Sequence, residues 1–449
     1  MLNKSFSVVI SKKIKKFQKS IFVDSDKSIS IRSFLIGAIS HNISQVRNVL
    51  ESEDVISTIK CLKKLGVKIK KGRSNNYLIY GKGLGSLNCQ KNTVLNFENS
   101  GTLCRLLTGI LATTPDIQVT ITGDASLRKR NMSKLINLMS EFGASFFPEN
   151  KSYLPLKLVS SEMPVGINYK SGVSAQLKSA VMLAGLNSYG KTKIEENKLS
   201  RDHTEKMLLN SPKIIKIKKN KKKIIEISGK NYLSPLNINV KGDPSSAAFF
   251  AGLTLLNKNS KLKIKNVVLN PTRVGFYELL KKHGGKINFT NIRKVNNERV
   301  GDIVVKSSKL KPFKSPESFY TKSTDEFPIL FCLAGLTKGT SLFRGVGDLV
   351  NKESNRIKEM QRILKQIGIK SFANKKQFKI YGKPLSINKN KVIKVPNLKD
   401  HRICMSAVIL SLITGIKTHI KNFETVNTSA PSFLKTIKSI GGSFEIKKK

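Results

Sequence analysis

The chain has 449 residues, 39% hydrophobic and 24% charged, which suits two or more domains or one large α/β unit. Lys and Arg total 81 against 29 Asp and Glu, a formal charge of +52. That balance fits nucleic-acid binding, capture of small anions, or drift toward Lys, Asn and Ile; Lys is spread along the whole length, which favours drift but still leaves a field that attracts anions. The five Cys (Cys61, Cys89, Cys104, Cys332, Cys404) form no CxxC pair and read as reduced thiols of a cytosolic protein. The five His show no metal-binding spacing, so no metal is expected. The N-terminal apolar stretch is too short for a secretory signal, and the run from Ile403 to Ile416 is too short for a membrane span. A soluble cytoplasmic protein with no membrane partner is the expectation.

The pattern that organises the chain is internal. Six times a polar cluster opens an apolar, helix-like run, near Asp26, Asn99, Ser171, Gly242, Thr324 and Lys399, at separations of 73, 72, 71, 82 and 75 residues. An amphipathic second helix follows in most units and ends near a glycine before a β-like segment, at Gly66, Gly143, Gly284, Gly368 and Gly441. Glycine just past a helix end accepts the left-handed conformation needed there. The third unit is degenerate and has no such glycine. Helices apolar nearly all round are buried, and those with Lys and Glu on one face form an outer layer. Six α/β modules, three per domain, are therefore predicted. Free N–H groups at the start of each buried helix attract anions.

The openings carry the candidate chemistry. DKSISIRS places Lys27, Ser28 and Arg32 at a helix start, as an anion site or as an N-cap with solvated cations. NSGTLCRLL places Gly101 where a side chain would block a ligand, or at an ordinary cap. SLRKRNM offers Arg128 and Arg130 as an anion fork or as surface charge. SGVSAQLKSA sets Ser174 and Gln176 at a helix entrance suited to a polyol phosphate, and Ser200 opens the later helix. In STDEFPIL, Asp325 reads as a tuned general base or as part of a helix N-cap. In NKESNRIKEM, Lys352, Glu353 and Arg356 read as a proton-transfer group beside an anion or as a helical charge pair. LKDHRICMS puts Asp400, His401 and Arg402 straight before an apolar run, with Arg402 the candidate substrate clamp. The Lys-rich stretch around Lys221 reads as a hairpin tip.

Taken together, DKSISIR, NSGTLCR, SLRKR, SAQLKSA, SRDHTEKM, GDPSSAAFF, NPTR, DEFP, KESNRI and DHRICMS resemble the EPSP synthase family, in family order and over nearly the whole chain. The resemblance implies an α/β fold: a two-domain, pseudo-symmetric inside-out α/β barrel of six repeated units. One domain would be residues 1–24 plus 242–449 and the other 25–241, with the active site in the cleft between them. It implies transfer of the enolpyruvyl group of phosphoenolpyruvate to the 5-hydroxyl of shikimate-3-phosphate, in the shikimate pathway, with no cofactor, by a monomer. Lys27, Ser28, Arg32, Ser174, Gln176, Ser200, Asp325 and Lys352 would contact shikimate-3-phosphate. Lys27, Gly101, Arg130, Gln176, Arg356 and Arg402 would contact phosphoenolpyruvate. Asp325, Glu353 and Lys27 would be catalytic, Asp325 accepting the 5-hydroxyl proton and Glu353 handling the methylene proton.

The chain departs from the family pattern at Ser25, Asn131, Ala175 and Asn355, and Thr428 falls about where some members place a Lys. Gly101 implies some sensitivity to glyphosate. Three alternatives are weighed, one of them a catalytically dead homologue with a scaffolding role, against which the intact Lys27, Arg130, Asp325, Glu353 and Arg402 argue. A UDP-N-acetylglucosamine enolpyruvyl transferase would share the fold but usually carries a reactive loop Cys, for which Cys89 and Cys104 are poor candidates. A nonspecific nucleic-acid-binding protein would explain the charge, yet the sequence has no recognised nucleic-acid motif.

Overall fold

The computed structural model describes residues 5–219, 222–384 and 391–448. Each of the six polar clusters leads into a helix: Lys27–Ile39, Gly101–Ala112, Ala175–Leu186, Pro244–Leu256, Phe327–Gly335 and His401–Thr414. Their starts are set locally. Asp26, Ser100, Ser174, Asp243 and Asp400 are N-caps whose side chains accept from a first-turn N–H, satisfying donors that have no partner within the helix. The helix Phe327–Gly335 starts from Glu326 without a side-chain cap. Burial on all sides follows from composition: in Pro244–Leu256 every residue through Leu255 is buried, and in His401–Thr414 every residue through Ile413.

The second helices Glu53–Lys64, Ser133–Glu141, Gly275–Lys282, Arg356–Gln366 and Phe433–Ser439 each bury only one stripe. The glycines after them have φ of +77°, +95°, +94°, +85° and +97°, where a Cβ would be strained. The degenerate third unit has a short helix instead, His203–Leu208. Ser200 lies outside it, and the N-cap is Asp202, so Ser200 does not open this helix.

Among the described residues the strands form six four-stranded sheets. Each has one parallel pair at an edge. Thr93–Asn96 shows the pattern: it runs parallel to Gln118–Thr122, which pairs antiparallel with Leu156–Val159, itself antiparallel to Ser145–Phe147. A parallel pair needs a crossover connection, and the buried helix Gly101–Ala112 supplies it. In two sheets the parallel edge strand comes from far along the chain: Asn237–Asn239 beside Ile43–Arg47, and Gln18–Ile21 beside Lys261–Val268.

The described chain divides into two compact units, one of residues up to 24, 241–295 and from 299, the other of 25–240 and 296–298. In the first, Phe249, Ile329, Phe331, Val408 and Leu410 belong to one apolar core built from all three inner helices. In the second, Thr113 Oγ1 donates to Ala184 O at 3.1 Å and ties the first helix turn beyond Gly101–Ala112 to its neighbour. Ile215–Lys219 and Lys223–Ser228 pair antiparallel; Lys221 lies outside the described residues. Among the described residues no helix is long and apolar enough to cross a membrane.

Candidate active site

In the unit built on 25–240, the candidate residues gather at three helix starts. Lys27 is the first helical residue, and its Nζ sits 3.0 Å from Asp54 Oδ2. Ser28 follows it half-buried, and its carbonyl accepts from Arg32 Nη1 at 3.1 Å. Arg32 is buried; Nε donates to Thr204 Oγ1 at 2.8 Å and Nη2 to Ser179 Oγ at 3.2 Å. Arg32 thus binds protein hydroxyls as well as facing its own helix start.

Gly101 is the first residue of its helix. A Cβ there would stand 2.8 Å from Nη1 of both Arg105 and Arg130, so the missing side chain lets two guanidinium groups close over the helix start. Arg105 Nη1 donates to Gly101 O at 2.9 Å and to Gln176 Oε1 at 3.0 Å, and Gln176 Nε2 donates to Thr102 Oγ1 at 3.0 Å. Arg130 Nη2 donates to Asn99 Oδ1 at 2.6 Å, whereas Arg128 is exposed. Ser174 caps the next helix through Leu177 N at 3.3 Å.

Ser200 is fixed differently. Its N–H and its hydroxyl both donate to Glu196 Oε1, each at 2.8 Å. Glu196 in turn lies 2.7 Å from Lys178 Nζ and 2.8 Å from Lys223 Nζ, and Glu205 Oε1 is 2.6 Å from Lys178 and 3.2 Å from Lys223. Lys178 is 0% exposed. Burial pushes the Glu196 carboxyl upward, but the two ammonium groups outweigh it and hold the group below its ordinary range. His203, buried at the start of its short helix, has Nδ1 2.6 Å from Glu298.

In the other unit one guanidinium is the hub. Arg356, 1% exposed, places Nε 3.0 Å from Asp400 Oδ2, Nη2 2.6 Å from Glu353 Oε2 and Nη1 3.8 Å from Asp325 Oδ1. Burial works against its charge, yet the three carboxylates more than offset this and raise its affinity for the proton. Asp325 and Glu353, proposed from sequence as separate proton handlers, are thereby brought to one cation. Asp400 also caps Arg402 N at 3.0 Å and accepts from Ser354 Oγ at 2.9 Å.

Arg402 is 3% exposed, and among the described residues no hydrogen-bond acceptor meets its Nε or Nη1. Its guanidinium carbon lies 5.9 Å from the centre of the Phe249 ring. A buried guanidinium with unused donors is suited to a planar carboxylate or a phosphate. His401 is buried beside it, with Nδ1 3.3 Å from Thr428 Oγ1. Lys352 pairs with Asp348 at 2.6 Å and lies 5.9 Å from the Tyr320 ring; the Tyr320 hydroxyl donates to the same Asp348 at 2.6 Å. Of the three residues read together from NKESNR, Glu353 pairs with Arg356 and Lys352 with Asp348.

Sequence reasoning missed Arg105, Asp54, Glu196 and Asp348, and gave Asp400 no task. Arg105 and Lys178 had one available signal, a cation inside an otherwise apolar helix run. Asp54 had none, because its partner Lys27 lies on another helix; Asp348 stands four residues before Lys352 and Glu196 four before Ser200, spacings that single out no pairing by themselves.

Comparison with known proteins gives a consistent picture. The family model described as EPSP synthase (3-phosphoshikimate 1-carboxyvinyltransferase) matches residues 11–437. A 3-phosphoshikimate 1-carboxyvinyltransferase of Zymomonas mobilis is 38% identical over 444 residues, 98% of this chain and 97% of that protein. One from Thermoanaerobacter is 40% identical over 429 residues, covering 95% and 99% respectively. A solved EPSP synthase structure from Acinetobacter baumannii superposes with a TM-score of 0.83 at 33% identity, over 99% of this chain and 100% of that one. The enolpyruvyl transferase NikO of Streptomyces tendae, 12% identical with a TM-score of 0.74 over 99% and 100%, shares the fold.

Proposed function

The chain belongs to the EPSP synthase family, and on that footing we propose how its residues carry the reaction of a 3-phosphoshikimate 1-carboxyvinyltransferase. The enolpyruvyl group of phosphoenolpyruvate passes to the 5-hydroxyl of shikimate-3-phosphate, and phosphate leaves. The observation that carries the assignment of roles is the Arg356 hub, which gathers Asp325 and Glu353 on one guanidinium.

Glu353 delivers a proton to the methylene carbon of phosphoenolpyruvate, which makes the neighbouring carbon electrophilic. The 5-hydroxyl attacks that carbon while Asp325 takes its proton, giving a tetrahedral intermediate. The carbon–oxygen bond to phosphate then breaks, and Glu353 removes a proton from the new methyl group. The enol double bond re-forms in the ether product. Arg402, whose Nε and Nη1 meet no acceptor among the described residues, holds the phosphoenolpyruvate anion, as do Arg130 and the helix start at Gly101. Lys27 contacts both substrates. Ser28, Arg32, Ser174, Gln176, Ser200 and Lys352 hold shikimate-3-phosphate. Positioning, charge neutralisation and proton transfer supply the catalysis.

Each unit, in this reading, is an inside-out α/β barrel, its three sheets arranged around its three inner helices. The functional domains are residues 1–24 plus 242–449 and 25–241. A cytoplasmic monomer completes the proposal, and five unpaired cysteines support a reducing compartment. Phosphate release by the purified protein tests the reaction. Release only when shikimate-3-phosphate and phosphoenolpyruvate are both present is expected. Release with neither needed, or only with UDP-N-acetylglucosamine as acceptor, would reject it.

A further inference from the structure

We infer that Glu326 is a positioning residue for Asp325: its buried carboxylate, gripped through Ser245 by Arg273, holds the turn that carries the base. The inference rests on the role proposed above for Asp325.

Five of the six inner helices are capped by the side chain of their own N-cap residue. At Phe327–Gly335 the N-cap residue is Glu326, and its carboxylate makes no cap. That side chain is turned into the core instead, where Oε1 accepts the hydroxyl hydrogen of Ser245. Ser245 Oγ in turn accepts from Arg273 Nη2 at 3.0 Å. The same Nη2 donates to Asp243 Oδ1 at 2.9 Å, and Asp243 Oδ1 also takes the Ser245 N–H at 2.8 Å. All four side chains are buried. They join GDPSS and NPTR, two motifs of the fourth module to which the proposed reaction gives no other task, to the DEFP turn of the fifth. A Ser or Asp at position 326 would satisfy the helix start directly. Buried ionic groups stabilise a fold little better than apolar side chains of the same size, so the network is better understood as fixing a position. The position it fixes is the backbone at 326: Glu326 N donates to Ser323 O at 3.2 Å, and Leu330 N donates to Glu326 O at 3.0 Å. Asp325 lies inside that turn, with Oδ1 3.8 Å from Arg356 Nη1, a charge contact too long for a hydrogen bond. A carboxylate drawn into direct contact with a guanidinium is a weaker base. Anchoring the next residue holds Asp325 off that contact and keeps it available to a substrate hydroxyl.

Steady-state kinetics on Glu326→Ala, Ser245→Ala and Asp325→Asn, and on each of the first two combined with Asp325→Asn, test this. Glu326→Ala and Ser245→Ala should each lower kcat by about tenfold to a hundredfold, the effect of a base misplaced by about 1 Å. The KM for phosphoenolpyruvate should stay within about twofold, because the groups that hold it are untouched. In the Asp325→Asn background neither substitution should lower kcat further, since both act through Asp325. Ser245→Ala keeps the Asp243 cap and the Glu326 carboxylate, and reads the link even if Glu326→Ala folds poorly. Normal kcat in folded Ser245→Ala, a further loss in either double variant, or a KM for phosphoenolpyruvate that rises as kcat falls would overturn the inference while leaving the reaction intact. Near-normal kcat in Asp325→Asn would overturn both the inference and the role of Asp325, and a wild-type protein that releases no phosphate would overturn the reaction with them.

Discussion

Arg356 and Asp400 meet in full burial, Nε to Oδ2 at 3.0 Å and Nη2 to Oδ1 at 3.4 Å. Asp400 is at the same time the N-cap of His401–Thr414. One carboxylate therefore locks the start of an inner helix to the start of Arg356–Gln366, and the guanidinium uses its remaining reach on Glu353 and Asp325.

Removing that guanidinium strands a buried Asp400 and leaves three carboxylates facing one another. Arg356→Met should destabilise the protein by about 3–5 kcal/mol, the usual result of breaking a buried pair from one side. Urea unfolding followed by circular dichroism measures it. A loss no larger than that of a surface substitution would mean the hub is not structural.

Asp325 is more open than its neighbours, at 26% exposure of the side chain, and does not cap its helix. Asp325→Asn should therefore fold with near-normal stability. Turnover should fall by about 10²- to 10⁴-fold if the carboxylate is the base for the 5-hydroxyl. Near-normal kcat in a folded variant would remove Asp325 from the chemistry.

Arg402 holds a charge in the core, and among the described residues its Nε and Nη1 meet no acceptor. Such a group costs about 1–3 kcal/mol. Arg402→Met is thus expected to raise the melting temperature of the ligand-free protein while abolishing the stabilisation that phosphoenolpyruvate confers. Paired thermal melts with and without phosphoenolpyruvate read both effects. A variant that melts lower and still responds to phosphoenolpyruvate would contradict the role.

Gly101→Ala puts a methyl group 2.8 Å from the ends of Arg105 and Arg130. Both are tips of flexible side chains, so stability should change by less than about 1 kcal/mol. The displaced guanidinium groups should weaken glyphosate more than phosphoenolpyruvate. Inhibition constants set against KM decide the point, and equal losses of both ligands would reject it.

Glu196 titrates below its ordinary 4.5 in the folded protein; burial opposes its charge, and Lys178 and Lys223 more than compensate. Its stabilisation is complete above the unfolded value and is lost as pH falls through the lower, folded one. Acid unfolding of the wild type should therefore steepen below about pH 4.5. Glu196→Gln should flatten that part of the stability curve, and an unchanged slope would place the acid sensitivity elsewhere.

The period of the chain was legible in its residues. Aspartate or serine before an apolar run, and glycine after an amphipathic one, are local instructions, so the positions of the inner helices and the left-handed residues could be read without knowing what packs on what. The same locality identified Gly101, Ser174 and Arg402 as helix-start residues, and the ordered motifs carried the family. Tertiary structure decided the partners. Nothing near Ser200 in sequence marks it as hydrogen-bonded to Glu196 rather than capping a helix, and nothing in NKESNR says that Glu353 and Lys352 part company, one to Arg356 and the other to Asp348. Charges act through space, and Arg356 meets Asp325 and Asp400, 31 and 44 positions away in sequence, only because the chain between them folds back on itself. Local propensity fixed where the helices begin; the packing of side chains from different elements fixed which charges pair, as Arg356 does with Glu353 and Asp400.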